Sequence, residues 1–555
     1  MKRTLTFVGI ICLFAMLFFP LRSSSRRRLE ASLPGMPNPP LNTAVAAHGN
    51  TDWHIDTANE FLFGTNNSGS PTAENHAPDS WTRTHVHVGL TNTAHFYFDK
   101  ALTTTGDDTD STNGIDEAML FFYAGHGNPG GWSTLGDSGT QSKMRLGNSS
   151  NGGLRYYWQC SCDVFAHGPQ HGTCPKSGES DFDYACPGQF DGAADSDSMR
   201  NVYERWGPAL RPQVRMACGA STAAYCHTDQ ANKIWNDFNN LSFDVSDSFI
   251  DGLDTGGVVP LCITMGGSSA AATPLYDSAF TNLPNTSGSA NYYIEFLAPF
   301  TFKIPPVVLT IPQLLPIWEL RPPPPPELLG GNFTPRGELI LSTNEIKGRG
   351  PQVRVNGRSG AVYVLGERKL DAGANVLRDA EYVERARQIV AQLKLNEQNL
   401  FLSKGGRFVI ASHPVEARPG IRQTAQFQKN VVVVFRRQIM VDGKAINVLG
   451  EGGQIKVQMN NDGTLLNLAK VWRQNARVIR QAPVKTREQA LAEATRQLEN
   501  QKAYRLKAFT WGYKELAGNV AQREMRIVYQ FNFEPVEQRR RTEYPPRMIE
   551  VQAQQ

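Results

Sequence analysis

The C-terminal half of this 555-residue chain contains no cysteine. Seven of the eight cysteines lie in one stretch of the N-terminal half: Cys160, Cys162, Cys174, Cys186, Cys218, Cys226 and Cys262. In an oxidising compartment, seven cysteines are typical of three disulfides and one free thiol, which is a candidate for reactivity. Thiol chemistry is therefore excluded from the C-terminal half, and the count leaves open which cysteine is free.

A clean signal-cleavage site is also missing. The N-terminus has a basic start followed by an apolar run over residues 5–21, which is typical of an export signal. No Ala-x-Ala site follows it, and Cys12 lacks the small preceding residue of a lipoprotein signal. We predict that residues 1–28 are an export signal or signal anchor and that the protein is periplasmic, secreted or anchored. A membrane contact is expected only if this segment stays uncleaved.

Basic residues are scarce between residues 45 and 300, where 11 Lys and Arg accompany 28 Asp and Glu. Residues 301–555 have the opposite balance, with 39 basic and 23 acidic residues. Opposite charge favours intramolecular docking of the basic half on the acidic domain, which would occlude its site. Two solvated modules of different origin would give the same balance. Because the arginines and lysines are dispersed and aromatics are not interleaved with them, no nucleic acid partner is expected.

One uncharged apolar run, Met119 to Ala124, ends in Gly-His-Gly. A run this short and aromatic predicts a strand buried on both faces, as in a parallel sheet. The histidine that follows it, His126, lies where α/β folds place their chemistry, at the carboxyl end of a strand. The glycines on either side, among them Gly127, allow backbone and substrate to approach it closely.

Further apolar runs predict an α/β domain with a largely parallel sheet over residues 81–300, after an irregular leader at residues 29–80. The predicted strands and helix of this domain are 82–89, 119–124, 154–162, 212–219, a helix within 221–239, 258–265 and 292–296.

Proline-rich residues 301–335, with five consecutive prolines at 322–326, predict an extended linker and a domain boundary. Residues 336–555 are predicted to form a smaller α+β module. Its predicted elements are a helix at 379–395, a meander at 431–435, 439–441, 455–459 and 465–472 with turns at Asp442-Gly443 and Asn461-Asp462-Gly463, a helix at 486–498 and a strand at 525–533.

A His-Gly that closes one apolar block and a cysteine that closes a later one resemble the arrangement in caspase-like cysteine peptidases, a group that includes gingipains and legumains. It also resembles bacterial domains of unknown function in the same structural neighbourhood. The resemblance implies a catalytic dyad of His126 and Cys162, with Cys218 and Cys160 as alternatives. Histidine would take the thiol proton, and the backbone N–H of Gly127 would face the oxyanion.

The same residues allow a second interpretation. Five potential ligands lie within fifteen residues: Cys160, Cys162, His167, His171 and Cys174. This density suits zinc, although the spacing is not that of a familiar zinc finger. In an exported protein, disulfides such as Cys174 with Cys186 compete for these thiols. No cofactor is therefore expected for the dyad, and zinc is the alternative.

The segment from Gln438 to Gly463 resembles propeptide-type modules (PepSY and the related thermolysin propeptide domain) of secreted peptidases. The match extends over residues 380–500 and implies a module that inhibits a peptidase or helps it fold. Such a module normally precedes the catalytic domain, and here it follows.

Together these patterns predict an exported cysteine peptidase that acts on protein or peptide substrates and carries a propeptide-like regulatory or binding module. The alternative is a non-enzymatic envelope or binding protein with structural disulfides or a structural zinc site.

Overall fold

The chain divides into two compact units, residues 1–36 and 37–555. The computed structural model describes parts of the second: residues 43–48, 52–64, 77, 80, 82–87, 118–128, 131–134, 137–140, 154–161, 165, 214–221, 228–241, 243–254, 258–266, 274–281, 291–300, 311–323, 338–341, 352–356, 359–366, 368, 376–393, 395, 399–414, 425–498, 500–518, 520–536 and 547–554.

The first part of this unit combines strands with three helices. Its elements are β1 (Thr43–His48), α1 (Asp52–Phe63), β2 (Thr82–His87), β3 (Leu120–Ala124), β4 (His126–Asn128), β5 (Gly131–Thr134), β6 (Asp137–Thr140), β7 (Tyr156–Cys160), β8 (Met216–Ala220), α2 (Thr228–Asn239), α3 (Val245–Leu253), β9 (Pro260–Gly266) and β10 (Asn291–Pro299).

Five of these strands are parallel neighbours in the order β2-β1-β3-β7-β8. The sheet then becomes antiparallel, because β9 pairs with β8 and β10 pairs with β9 in that sense. A separate three-stranded sheet, β4-β5-β6, begins at His126. The carboxyl ends of β3 and β7 therefore lie side by side at one edge of the sheet.

The second part is mainly antiparallel. Its elements are β11 (Leu314–Arg321), β12 (Glu338–Leu341), β13 (Gln352–Asn356), β14 (Val362–Leu365), α4 (Asp379–Gln392), β15 (Leu400–Pro414), β16 (Ala425–Val441), β17 (Lys444–Leu449), β18 (Gln454–Met459), β19 (Leu465–Val471), β20 (Gln474–Pro483), α5 (Arg487–Arg496), a 3-10 turn (Gln501–Ala503), β21 (Tyr504–Lys514), β22 (Arg526–Pro535) and β23 (Arg547–Gln552).

The two parts share one sheet of 18 described strands, because β10 pairs with β15 over its whole length. From there the sheet continues through β16, β18, β19, β14, β13 and β12. The long strand β16 also forms a hairpin with β17, and β17 joins β21, β22 and β23. Strands β11 and β20 form a separate two-stranded ribbon.

The main core also combines residues from both parts. Phe61 of α1 stacks on Phe122 of β3 with ring centroids 3.9 Å apart, and Trp158 and Trp235 pack beside them. The same cluster extends to buried residues of β15, β16 and β19, such as Val432. On the opposite face of these strands, α4 buries a stripe that includes Tyr382 and Ile389.

These features confirm a mixed α/β fold with parallel pairs concentrated in the first part. Three of the five helices of the described residues, α2, α4 and α5, and most of the predicted strands lie at or near their expected positions. Helices α1 and α3 were not predicted. The turn predicted at Asp442-Gly443 is a hairpin turn in which both residues have positive φ, 48° and 75°, as a type I′ turn requires.

Two expectations need correction. The predicted irregular leader at residues 29–80 contains β1, a central strand of the parallel block, and α1, whose Ala58, Phe61 and Leu62 are fully buried. The predicted linker at residues 301–335 contains β11, which pairs with β20 and buries Leu315 and Ile317. In both stretches the high Pro, Gly and Asn content suggests irregular structure. The few apolar residues nevertheless direct the local fold, because they are buried. Among the described residues, no helix combines the length and apolar character needed to cross a membrane.

Candidate functional site at the strand ends

The register of β3 with β7 brings two candidate positions to one edge. In this parallel pair Ala124 is the partner of Cys160, and the Gly125 N–H donates to the Cys160 carbonyl at 3.2 Å. His126 follows Ala124 by two residues, and Cys162 follows Cys160 by two. Each of the two candidate positions thus lies two residues along the chain from a member of this pair.

His126 itself is the first residue of β4, where its backbone pairs with Ser133, and Gly127 pairs with Trp132. The side chain of His126 and the whole of Cys162 lie outside the described part of the chain. Their roles, and that of the Gly127 N–H, stay predictions.

The glycine before His126 is required by a close approach. A Cβ at Gly125 would lie 2.2 Å from the Tyr123 hydroxyl oxygen, so no other residue fits without displacing this side chain. Tyr123 is fully buried, and burial raises the pKa of its hydroxyl. The sequence analysis expected the glycines to let backbone and substrate approach His126; the contact between Gly125 and the Tyr123 side chain was not predicted.

Two of the three candidate cysteines are oxidised. Cys218 and Cys262 are register partners on β8 and β9, and their sulfur atoms lie 2.12 Å apart as a disulfide. Cys160 is disulfide-bonded as well. A bonded sulfur is not a thiolate, so neither Cys218 nor Cys160 is a nucleophile in this state.

The alternative zinc set is described at only one of its five positions. Cys160 is bonded and cannot act as a thiolate ligand in this state. The other members, Cys162, His167, His171 and Cys174, lie outside the described residues. Within the described ranges, no group of three or more His, Cys, Asp or Glu side chains has the arrangement of a metal site.

The N-terminus of α2 lies at the same sheet edge. Gln230, in its first turn, places Oε1 4.0 Å from the sulfur of Cys160. The adjacent Asp229 interacts with the buried Glu60 of α1. Burial, together with the charges of Asp229 and Asp56, raises the pKa of Glu60 to about 8. A buried carboxyl group with a raised pKa beside a strand end is a feature that sequence patterns did not indicate.

A second polar region lies under α3, where the sequence predicted no site. Lys429 of β16 is 1% exposed, and its Nζ lies 2.8 Å from Asp247 and 3.0 Å from both Asp244 and Glu295. It also contacts Ser246 at 3.1 Å, and the ring of Tyr276 lies 5.0 Å away. Every one of these carboxylates comes from the acidic part of the sequence.

One helical turn further along α3, Lys456 of β18 repeats the arrangement. Its Nζ lies 2.6 Å from Asp237 and 2.5 Å from Asp251. Asp251 also accepts from Lys404 at 2.9 Å, and Lys233 approaches it at 3.5 Å. We call these two groups together the α3 ionic face.

In each half of the α3 ionic face, one carboxyl group has a raised pKa and another has a lowered pKa. Burial raises the pKa of Glu295 by more than the charge of Lys429 lowers it, and the charge of Asp247 raises it further. For Asp247, burial also acts upward, but Lys429, the hydrogen bond with Glu295 and the charge of Arg368 lower its pKa. In the same manner, burial raises the pKa of Asp237, and the charges of the neighbouring lysines lower the pKa of Asp251.

The charged groups of this face are buried and pair with one another, which favours a structural role over a reaction site. Its role is to bind α3 to the sheet. The opposite charge of the two sequence segments was the one available signal for it.

No known protein family matches the chain, and no curated protein matches it. Among solved structures, an uncharacterized protein from Eubacterium rectale aligns with 43% of this chain and 83% of its own, at 7% identity and a TM-score of 0.24. A likeness this low carries no argument.

Proposed function

We propose that the protein is an exported cysteine peptidase in which His126 and Cys162 form the catalytic dyad. The observation that carries the proposal is the register of β3 with β7, which pairs Ala124 with Cys160, the residues two positions before His126 and Cys162. Because Cys160 and Cys218 are disulfide-bonded, we assign the nucleophile to Cys162, the first of the three candidates.

The proposed chemistry follows from this placement. His126 takes the proton of the Cys162 thiol, and the thiolate attacks the carbonyl carbon of a peptide bond. The protonated histidine then gives its proton to the leaving amine, and water releases the acyl group. The strands that precede the two groups, β3 and β7, are paired and buried, which favours a fixed geometry for residues that follow them closely.

The finer fold assignments belong to the same proposal. Residues 81–300, together with β1 and α1 that precede them, would form a caspase-like domain, supported by the adjacent parallel strands that such a dyad needs. Residues 336–555 would contain a PepSY-like module, supported by the succession of α4, the meander β16 to β19, and α5.

The test is cleavage of a peptide library by the full chain and by the variants His126→Ala and Cys162→Ala. Both variants should lose activity by a factor of about 100 or more, since each removes a member of the dyad. The matched control is His413→Ala, a histidine of β15 away from the strand ends. Wild-type protein that cleaves no peptide, or variants that keep their activity, would contradict the proposal.

A second candidate function is a non-enzymatic exported binding protein. The observation that favours it is the buried disulfide between β8 and β9, which shows that cysteine stabilises this domain. This candidate expects no thiol whose reactivity with iodoacetamide depends on His126. If the binding protein has a structural zinc site, metal analysis of the purified protein should find one zinc per chain.

We also propose that the basic C-terminal half docks on the acidic N-terminal half. The α3 ionic face supports this, because its carboxylates come from residues 237–295 and its cations, apart from Lys233, from residues 368–456. After cleavage at a protease site engineered at Pro322, the two fragments should co-elute. Fragments that separate at low salt would disprove the docking.

A further inference from the structure

Lys456, in the middle of β18, lies against two buried aspartates that come from different helices. Its Nζ is 2.6 Å from Oδ1 of Asp237 on α2 and 2.5 Å from Oδ2 of Asp251 on α3. The three side chains are at most 2% exposed, and the ring centroid of Phe243 lies 5.3 Å from the Nζ. An amine and two carboxyl groups are therefore held in contact with one another in a place that is closed to any external substrate.

The two carboxyl groups have different surroundings. Asp251 faces three cations, because it also accepts from Lys404 at 2.9 Å and lies 3.5 Å from Lys233. The one described ion pair of Asp237 is with Lys456, and a hydrogen bond joins the two aspartates. Burial raises the pKa of Asp237 by more than Lys456 lowers it, whereas the three lysines outweigh burial and lower the pKa of Asp251. These surroundings favour Asp237 as the carboxyl group that holds a proton and Asp251 as the carboxylate that accepts one.

We propose that Lys456 and Asp237 join in an intramolecular amide bond, and that Asp251 is the base that takes the lysine proton. The contact between amine and carboxyl group is the near-attack arrangement that such a reaction needs, with reacting atoms about 3–3.5 Å apart. The reaction consumes no external substrate, cofactor or oxidant. It also does not depend on any chemistry at the strand ends.

The step is a condensation that releases one water. Asp251 takes a proton from the Lys456 ammonium group, and the neutral amine attacks Cγ of the protonated Asp237. The Nζ–Cγ bond forms, the Cγ–O bond to the hydroxyl breaks, and the hydroxyl leaves as water with a second proton from the nitrogen. The nitrogen keeps its third hydrogen and the first stays on Asp251, so atoms and charges balance.

The buried setting determines both the rate and the stability of the bond. Burial acts to lower the pKa of Lys456, but the charges of Asp237 and Asp251 raise it above its usual value, so the neutral amine is scarce and the bond forms slowly. The fixed geometry offsets this, because well-oriented groups react as if present at about 10⁵ M or more. Condensation also removes two buried charges that have lost their hydration, which disfavours the reverse reaction.

The bond would connect the two parts of the protein covalently, because Asp237 and Lys456 are 219 residues apart. A chain cut at a protease site engineered at Pro322 would then remain one species under reducing and denaturing conditions. Fragments held by ion pairs alone would separate there. The ion pairs of the α3 ionic face can be measured without the bond in Lys456→Arg, which keeps the cation but has no primary amine.

The test is the mass of the reduced and denatured full chain. Wild-type protein should weigh about 18 Da less than its sequence, the mass of the water lost when the amine acylates. Peptide mapping should find Lys456 joined to Asp237, and Lys456→Arg should have the full mass. Lys485 and Glu493 are the control within the same map, since they are 2.7 Å apart but 22% and 38% exposed and should stay unlinked.

The role of the base is tested by Asp251→Asn. Without a proton acceptor, the linked fraction in freshly synthesised protein should rise about 100-fold or more slowly than in wild type. An unchanged rate would overturn the role of Asp251. Wild-type protein with the full mass of its sequence would overturn the bond itself, whatever the variants do. Water lost at an Asp-Gly bond, such as Asp442-Gly443, would give the same mass but leave Lys456 in a linear peptide, and would overturn it as well.

Discussion

The α3 ionic face and the β11–β20 ribbon contain ion pairs of similar length in opposite surroundings. Under α3, Lys429 and Asp247 are 2.8 Å apart, with side chains 1% and 0% exposed. On the ribbon, Arg477 and Glu319 are 2.5 Å apart, but their side chains are 72% and 24% exposed. By distance alone, the ribbon pair would be expected to contribute more to stability than the pair under α3.

Burial reverses that ranking. Water and salt screen the ribbon pairs, so each contributes little. Under α3 each charge has lost its hydration, and removal of one partner leaves the others without compensation. The α3 ionic face therefore makes the two parts of the protein depend on each other, whereas the ribbon pairs are replaceable.

The largest effect is expected from Lys429→Met, which keeps the length of the side chain but removes its charge. Asp244 and Asp247 then lose a cation in a site without water. The free energy of unfolding should fall by about 3–5 kcal/mol, measured by urea denaturation at pH 7. Lys444→Met, in the exposed β16–β17 hairpin, is the control and should be neutral. A loss no greater than that of the control would show that the face is not a stabilising contact.

The next effect concerns Asp251, whose pKa is lowered well below the usual value, burial being outweighed by three lysines. Asp251→Asn should cost about 3 kcal/mol at pH 7, since charged donors lose their acceptor. A lowered pKa contributes stability above the unfolded pKa of about 4 and loses it as pH falls further. The wild type and variant should therefore converge in acid, and a constant difference down to pH 2 would contradict the assignment.

A smaller and opposite effect is expected from Glu295→Gln. Because the pKa of Glu295 is raised well above its usual value, the folded protein holds a proton that the unfolded chain releases. Wild-type stability should fall as pH rises from about 5 toward the folded pKa, by up to about 1.4 kcal/mol per pH unit. Glutamine mimics the protonated carboxyl, so this slope should flatten between pH 5 and 8. An identical slope in both proteins would rule out the bound proton.

The smallest effect is expected from Arg477→Ala on the ribbon. Its partner Glu319 keeps Arg321, and both groups stay in water, so the unfolding midpoint should not move beyond experimental error. The same result should hold at low and high salt. A clear destabilisation would remove the contrast between the two regions.

Sequence patterns predicted the elements that depend on local residues. The strand β3 is an unbroken apolar run, the β16–β17 turn has an Asp-Gly pair, and α5 begins at Thr486 with a capping box to Gln489. The adjacency of β3 and β7 was expected from the resemblance to caspase-like peptidases and not from the apolar runs themselves; the structure pairs the two strands over five residues.

The elements that depend on distant partners could not be predicted. The carboxylates Asp247 and Asp251 resemble the solvent-facing stripe of a helix, yet they are buried against lysines on β16 and β18, 182 residues away in one case. The oxidation state of the cysteines likewise depends on tertiary structure, because the register of β8 with β9 places Cys218 opposite Cys262. Neither the burial of these carboxylates nor the cysteine pairing can be predicted from the local sequence.

The pairing of α3 with strands made much later in the chain has a consequence for the order of folding. Until residues 429 and 456 emerge, Asp247 has no lysine partner and Asp251 has only Lys233 and Lys404, so we expect the core under α3 to stay incomplete. We expect chains truncated before residue 429 to be digested rapidly by protease and chains that extend beyond residue 471 to resist it. An acidic helix that lacks two of its lysines would keep this core open until residue 456 has been synthesised.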